Sequence, residues 1–359
     1  MRNSTQSGIA TALLVLCLAV VTVLELLAHS QFVSGLLIHL DQEVNRIDKK
    51  RYSYEHYYSD FEDRLINEEL PSADYSRGGV YLIGTSNLKW ATRFWELPDD
   101  QRSMIHNYGI GATDHSQQFQ FLRHLVEHDG LLRAGGSKTM VILGTSYHAT
   151  GDGTNDVNQF FASVWQRHGL YSYSTDRGIT PIAGSNWQRR LHFERLRLAG
   201  FVRSTIYSTV RQLGYHAGVR SHDSNDYKRE RSEWLGARWQ ENMRVQVRQF
   251  EAMVDYLQAR GVHVVVVLLP VGSWDHDLPF ATAYTALMTE ACEKKHVPIL
   301  DWSSLLNDDD FADSNHPNLY GVDKLNPRFL DIAVPFLQST GALKKSDHRV
   351  LVGNSAARH

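Results

Sequence analysis

The chain has 359 residues, 21% of them charged, and a formal net charge of -3, a balance that excludes nucleic-acid binding through overall basicity. Two cysteines, Cys17 and Cys292, exclude a disulfide framework and leave the compartment unassigned. The length suits one large α/β domain with an insertion, or two smaller domains with separate cores.

Residues 8–28 (GIATALLVLCLAVVTVLELLA) carry a single charge, Glu25. An apolar run of this length suits one membrane-spanning helix. Leu26-Leu27-Ala28 lacks the small-x-small pattern of a cleavage site, so the expectation is an uncleaved anchor in the lipid bilayer. With so short a leader, the N-terminus is expected to be cytoplasmic and the body extracytoplasmic. Residues 29–77 mix Tyr52, Tyr54, Tyr57 and Tyr58 with apolar positions at helical spacing and are read as a helical stalk.

A main domain is expected over 78–340, followed by a polar tail at 341–359. Strands are predicted at 80–83, 104–110 and 139–143, alternating with helices at 88–97, closed by Pro98, and at 116–128. Strand, helix, strand, helix, strand predicts a central parallel sheet with helices on its faces, a three-layer α/β domain. From 149 to 228 this rhythm breaks. That insertion is locally basic, with Arg189, Arg190, Arg195, Arg197, Arg203, Arg211 and Arg220 outnumbering Glu194 and Asp223. It is either a solvated face or a docking surface for an anionic partner. The rhythm resumes with a long helix at 230–260 ended by Gly261, a strand at 262–269, a helix at 279–295, a short strand at 298–302 and a last helix at 327–338.

The first strand ends in Gly84-Thr85-Ser86-Asn87. Strand ends on the carboxyl edge of an open α/β sheet are where such folds place their chemistry, and Ser86 there is the candidate nucleophile. The base is supplied by Asp313-Ser314-Asn315-His316-Pro317, where Asp313 and His316 are three residues apart. A carboxylate holding one ring nitrogen leaves the other to take the serine proton. Gly109, after the second strand, offers an N–H that no Cβ obstructs, and with the Ser86 N–H it forms the expected oxyanion site. Gly144-Thr145-Ser146 echoes the first motif, so Ser146 is a rival nucleophile. Ser86 is preferred because a helix follows it closely, whereas Ser146 runs into a Gly-containing loop. Ser146 and His148 then become candidates for the oxyanion site or for substrate contact, and Asn87, Asn107 and Trp274 for substrate contact. Trp274-Asp275-His276-Asp277 lies on the same sheet edge, as a solvated loop or as part of the cleft. No metalloprotease, paired-cysteine or EF-hand spacing is present, so neither a metal nor a cofactor is assigned.

In order, these blocks resemble the SGNH or GDSL-type hydrolases and transferases: Gly84-Thr85-Ser86, Gly109 with Asn107 before it, Gly144-Thr145-Ser146, and Asp313 with His316. Thr85 stands where that group has aspartate, and Ser146 where it has the asparagine whose amide helps bind the oxyanion. The resemblance implies a flavodoxin-like three-layer fold and acyl chemistry. With the anchor and the insertion, the layout is most similar to the DltD-type envelope O-acylation proteins, which act beside a membrane-bound O-acyltransferase. That likeness implies transfer of an acetyl or D-alanyl group to hydroxyls of a cell-surface polysaccharide or teichoic-acid-like acceptor. An envelope esterase using the same residues, and a non-catalytic scaffold binding a polymer or partner through the basic insertion, are the alternatives.

Overall fold

The structure is a computed structural model. It describes residues 73–94, 97–111, 113–150, 171–174, 178–181, 225–312 and 314–344, together with 15–16, 18–23, 26, 65 and 70. Contacts divide the chain into two units. One comprises Met1–Asp48, Tyr54–Asn67 and Gly184–Ala217; the other comprises Lys49–Ser53, Glu68–Ala183 and Gly218–His359. In the first unit, residues 15–16, 18–23 and 26 are helical with exposed side chains. Among the described residues no helix is long and apolar enough to cross a membrane. The remainder of 8–28, most of 29–77, the arginines of the insertion and the tail beyond 344 lie outside the described residues.

In the second unit β1 (Gly79–Gly84) leads into a one-turn helix α1 (Ser86–Lys89), then α2 (Asp99–Arg102), β2 (Ile105–Asn107), α3 (His115–His124) and β3 (Thr139–Thr145). An antiparallel ribbon follows, β4 (Tyr171–Ser174) with β5 (Gly178–Pro181). The chain then continues through α4 (Asn225–Leu235), α5 (Trp239–Gln258), β6 (His263–Leu268), α6 (Ser273–His276), α7 (Pro279–Lys295), β7 (Ile299–Asp301) and α8 (Leu319–Ser339). The main sheet has the order β2-β1-β3-β6-β7 with every pair parallel. With the ribbon set aside, this is the doubly wound order of flavodoxin-like sheets, whose direction reverses between β1 and β3.

Both faces of the sheet are covered. Val80, Leu82, Met140, Ile142 and Val267 share a core with Leu325, Phe329, Ala333, Val334 and Leu337 of α8. Those α8 positions recur at three- and four-residue intervals and form one apolar stripe. Each fully buried Leu or Phe there contributes roughly 1.5–3 kcal/mol. Strand residues of opposite parity, Tyr81, Ile83, Val141, Leu143, Val264 and Val266, are also buried. Helix α5 packs on β6 and on both α3 and α7, and α3 packs on β1, which makes the third layer.

Three predicted elements differ. The expected helix at 88–97 is only the single turn α1, because the Asn107 amide donates to the Leu88 and Lys89 carbonyls at 2.9 and 3.4 Å, acceptors that a longer helix would need. The dipole of one turn is correspondingly small. The expected helix at 230–260 is two, α4 and α5, parted at Gly236, whose φ of 73° only glycine adopts without strain. The last helix begins at Leu319, not 327. Asn318 caps it by accepting from the Tyr320 and Gly321 N–H groups, and Pro327 is accommodated inside it.

Candidate active site

Ser86 stands at the topological switch point, where α/β sheets open a crevice beyond their strand ends. Gly84 pairs with Gly144 across β1 and β3, and the two glycines make a flat seat for Leu88, which is fully buried over them. A Cβ on Gly84 would lie 2.2 Å from the Gly144 carbonyl oxygen, so only glycine fits. With Leu88 seated, α1 turns sharply off the sheet and leaves Ser86 half-buried at the edge. Thr85 serves as its N-cap: Thr85 Oγ1 accepts the Asn87 N–H at 3.3 Å, a role open equally to aspartate.

The candidate base, His316, arrives from the other end of the chain. Phe311 and Pro317 form an antiparallel bridge and the Ala312 N–H donates to the His316 carbonyl at 2.8 Å, which closes the loop between them. Asn318 clasps that loop, its Nδ2 donating to the Asp309 and Phe311 carbonyls at 2.7 and 3.2 Å while its Oδ1 caps α8. Trp274 braces the far side, donating from Nε1 to the Ser314 carbonyl at 2.9 Å with its ring edge-on to Phe311. The result is His316 Nε2 at 2.8 Å from Ser86 Oγ, across 230 positions of sequence. A serine hydroxyl donating to Nε2 requires the neutral tautomer with its proton on Nδ1. The Trp90 ring meets the imidazole edge-on at 6.4 Å.

Asp313 lies outside the described residues. Two of the other carboxylates in its loop are committed elsewhere. Asp308 accepts from the Ser273 N–H and hydroxyl, and Asp310 accepts from the Asn307 N–H and Lys324 Nζ.

The remaining candidates divide. Asn87 is buried, and its Oδ1 accepts from Asn315 Nδ2 at 3.2 Å, so the residues that follow Ser86 and precede His316 are bonded to each other. Asn315 Nδ2 also lies 3.5 Å from His316 Nε2. Gly109 does not offer the expected oxyanion N–H, because that group donates to Asn107 Oδ1 at 2.9 Å. Glycine is needed there for a different reason: a Cβ would come within 2.7 Å of the Lys89 N. Asn107 is not placed to contact substrate. It is buried, with its amide shared among Leu88, Lys89 and Thr92 and its carbonyl taken by Gly109. Ser146 occupies the same offset from Gly144 that Ser86 has from Gly84, yet its Oγ pairs with His148 Nδ1 at 3.0 Å rather than with His316. His148 stacks on Tyr147 at 4.0 Å and faces Trp234 of α4 at 6.1 Å. Trp274 braces the His316 loop, and the segment around it is the one-turn helix α6, where Asp275 is fully buried while His276 and Asp277 are exposed.

No family model matches the chain. No curated protein matches it either. Among solved structures it is similar to a protein assigned as an acylhydrolase from Bacteroides fragilis, at 16% identity and TM-score 0.38 over 80% of this chain and 100% of that one. It is also similar to a GDSL-like lipase from Bacteroides thetaiotaomicron, at 12% identity and TM-score 0.36 over 76% of this chain and 98% of that one.

Sequence reasoning passed over Asn315, Asn318, Arg231 and Trp90. The Asn315-His316-Pro317-Asn318 run held a usable signal, since asparagines beside a proline commonly bond to nearby backbone and set a loop. Arg231 of α4 had none: its Nη2 donates to Ser314 Oγ at 2.7 Å, a contact made across 83 positions.

Proposed function

We propose that the chain is a serine acyl-transfer enzyme that forms a covalent acyl-enzyme on Ser86. The observation that carries this reading is the 2.8 Å approach of His316 Nε2 to Ser86 Oγ at the switch point of the sheet. A serine becomes a useful nucleophile when a positioned base takes its proton, and both residues here are half-buried at an edge a substrate can reach.

In the proposed sequence Ser86 Oγ attacks the acyl carbonyl while His316 Nε2 takes its proton. The tetrahedral intermediate collapses, and the alcohol of the donor leaves with the proton from His316. The acyl-enzyme then gives its acyl group to a hydroxyl of the acceptor, which His316 deprotonates in turn. Asp313 is the acid assigned to orient the imidazole, the role for which Asp308 and Asp310 are unsuited by their other bonds. The acceptor class proposed is a cell-envelope polymer hydroxyl and the acyl group acetyl or D-alanyl. Residues 8–28 would hold the enzyme in the bilayer beside a membrane-bound O-acyltransferase as donor. The apolar composition of that segment supports the placement.

Incubation with an aryl acetate, with and without a carbohydrate acceptor, tests the reading. Acylated acceptor that disappears in Ser86→Ala is the expected result. Ester loss that never yields acylated acceptor would reassign the enzyme as an esterase. A fluorophosphonate adduct mapped to Ser146 instead of Ser86 would move the nucleophile to the Ser146–His148 pair.

A further inference from the structure

The proposed chemistry requires donors for the oxyanion, and two of the three expected ones are spoken for. The Gly109 N–H is bonded to Asn107 Oδ1. Ser146 carries no side-chain amide, and its hydroxyl is paired with His148. What remains is the Ser86 N–H, which as the first in its helix has no acceptor within that helix.

One further donor sits beside it. Asn87 is 3% exposed, and its Nδ2 is buried with no hydrogen-bond partner among the described residues. Buried amide nitrogens are ordinarily satisfied, so an orphan of this kind next to a nucleophile points to a group that arrives with the substrate. The orientation of the carboxamide is settled by its other end. Oδ1 accepts from Asn315 Nδ2 at 3.2 Å and from the Thr85 hydroxyl at 3.5 Å, and turning the amide over would set its nitrogen against Asn315 Nδ2. Asn315 Nδ2 is itself 3.5 Å from His316 Nε2, which is 2.8 Å from Ser86 Oγ, so the orphan belongs to the same small network as the reacting pair.

We infer that Asn87 Nδ2 is the side-chain donor of the oxyanion site, standing in for the amide that Ser146 does not supply. The inference rests on Ser86 being the nucleophile. As Ser86 Oγ bonds to the carbonyl carbon and its proton passes to His316 Nε2, the carbonyl π pair moves onto oxygen. That oxygen accepts from the Ser86 N–H and from Asn87 Nδ2–H. Collapse returns the pair to the carbonyl and expels the alcohol, protonated by His316. Asn315 is a positioning residue: its donation to Asn87 Oδ1 fixes the carboxamide and leaves Nδ2 uncommitted.

The test measures kcat and KM of the full chain on p-nitrophenyl acetate, the rate of fluorophosphonate labelling and the thermal midpoint. Asn87→Asp keeps the shape and the Oδ1 acceptor for Asn315 and replaces only the donor. It is expected to lower kcat and the labelling rate about 100-fold with KM little changed, and Asn87→Ala to do the same. Asn315→Ala, which leaves the donor in place, is expected to cost less than about tenfold. Asn87→Asp and Asn87→Ala retaining kcat within threefold of wild type would overturn the inference. So would equal losses in Asn87→Ala and Asn315→Ala with no further loss in the double variant, because Asn87 would then act only by placing His316. Failure of both Asn87 variants to fold would assign the residue to the fold instead. If Ser86→Ala keeps full turnover, the parent reading fails, an outcome distinct from all of these.

Discussion

Asn107 Oδ1 accepts the Gly109 N–H at 2.9 Å, and the same side chain donates to the Leu88 and Lys89 carbonyls that follow Ser86. One buried carboxamide thus ends α1, ties it to the strand beside β1 and withdraws a backbone donor from the crevice. Asn107→Ala is expected to destabilise the fold by about 2–3 kcal/mol, since it leaves several buried backbone groups unpaired. Denaturant unfolding reads this, and a change below about 0.5 kcal/mol would show that Asn107 is dispensable to the turn.

Gly84 and Gly144 face each other across the switch point, but they are not equally constrained. A Cβ on Gly84 would strike the Gly144 carbonyl oxygen at 2.2 Å, an atom of the sheet that has nowhere to move. A Cβ on Gly144 meets Leu88 Cδ1 at 2.6 Å, the end of a side chain rather than backbone. Gly84→Ala is expected to cost about 3 kcal/mol and Gly144→Ala about 1 kcal/mol. Equal melting temperatures for the two variants would contradict this geometry.

Asn318 holds the His316 loop with its amide and caps α8 with its carbonyl, and the two roles separate by substitution. Asn318→Asp keeps the cap but sets a carboxylate oxygen against the Asp309 and Phe311 carbonyls. Asn318→Ala loses both contacts. The alanine variant should lose about 1 kcal/mol from the cap alone. The aspartate variant should lose esterase turnover out of proportion to any change in its melting temperature, and a normal kcat there would mean the clasp does not govern His316.

His115 is fully buried among Gln118, Tyr284 and Thr145, with Nδ1 3.2 Å from Gln118 Oε1 and Nε2 2.8 Å from Tyr284 Oη. Burial lowers its pKa from the ordinary 6.5 to about 4. The depressed value means the unfolded chain binds this proton more readily than the native one. Stability from this group is therefore complete above about pH 6.5 and falls by about 1.4 kcal/mol per pH unit as pH drops toward 4. His115→Gln should flatten that acid limb in denaturation curves measured from pH 4 to 7. An unchanged slope would assign the acid sensitivity to other groups.

The sheet was legible in the sequence because its central strands are largely buried and read as short, nearly unbroken apolar runs such as 139–143 and 262–269. Helix limits were less legible where a distant group decides them. Nothing near Lys89 announces that Asn107, eighteen positions on, takes its carbonyl, and Pro327 looks like a helix start until the Asn318 cap is seen. The site followed the same rule. Ser86 and His316 stood out through local motifs, whereas the Asn87–Asn315 bond spans 228 positions and joins two residue types that are common on any surface.

The core shared by β1 and α8 also governs when Ser86 and His316 meet. Ser86 is synthesised early, and its strand can pair with β2 and β3 long before His316 exists. The imidazole reaches the serine only after α8 packs its apolar stripe onto the sheet and Asn318 closes the loop ahead of it. Contacts so distant in sequence form late. On the proposed function, Ser86 of a ribosome-bound chain stands apart from His316, and reactivity toward esters waits on the docking of the last helix.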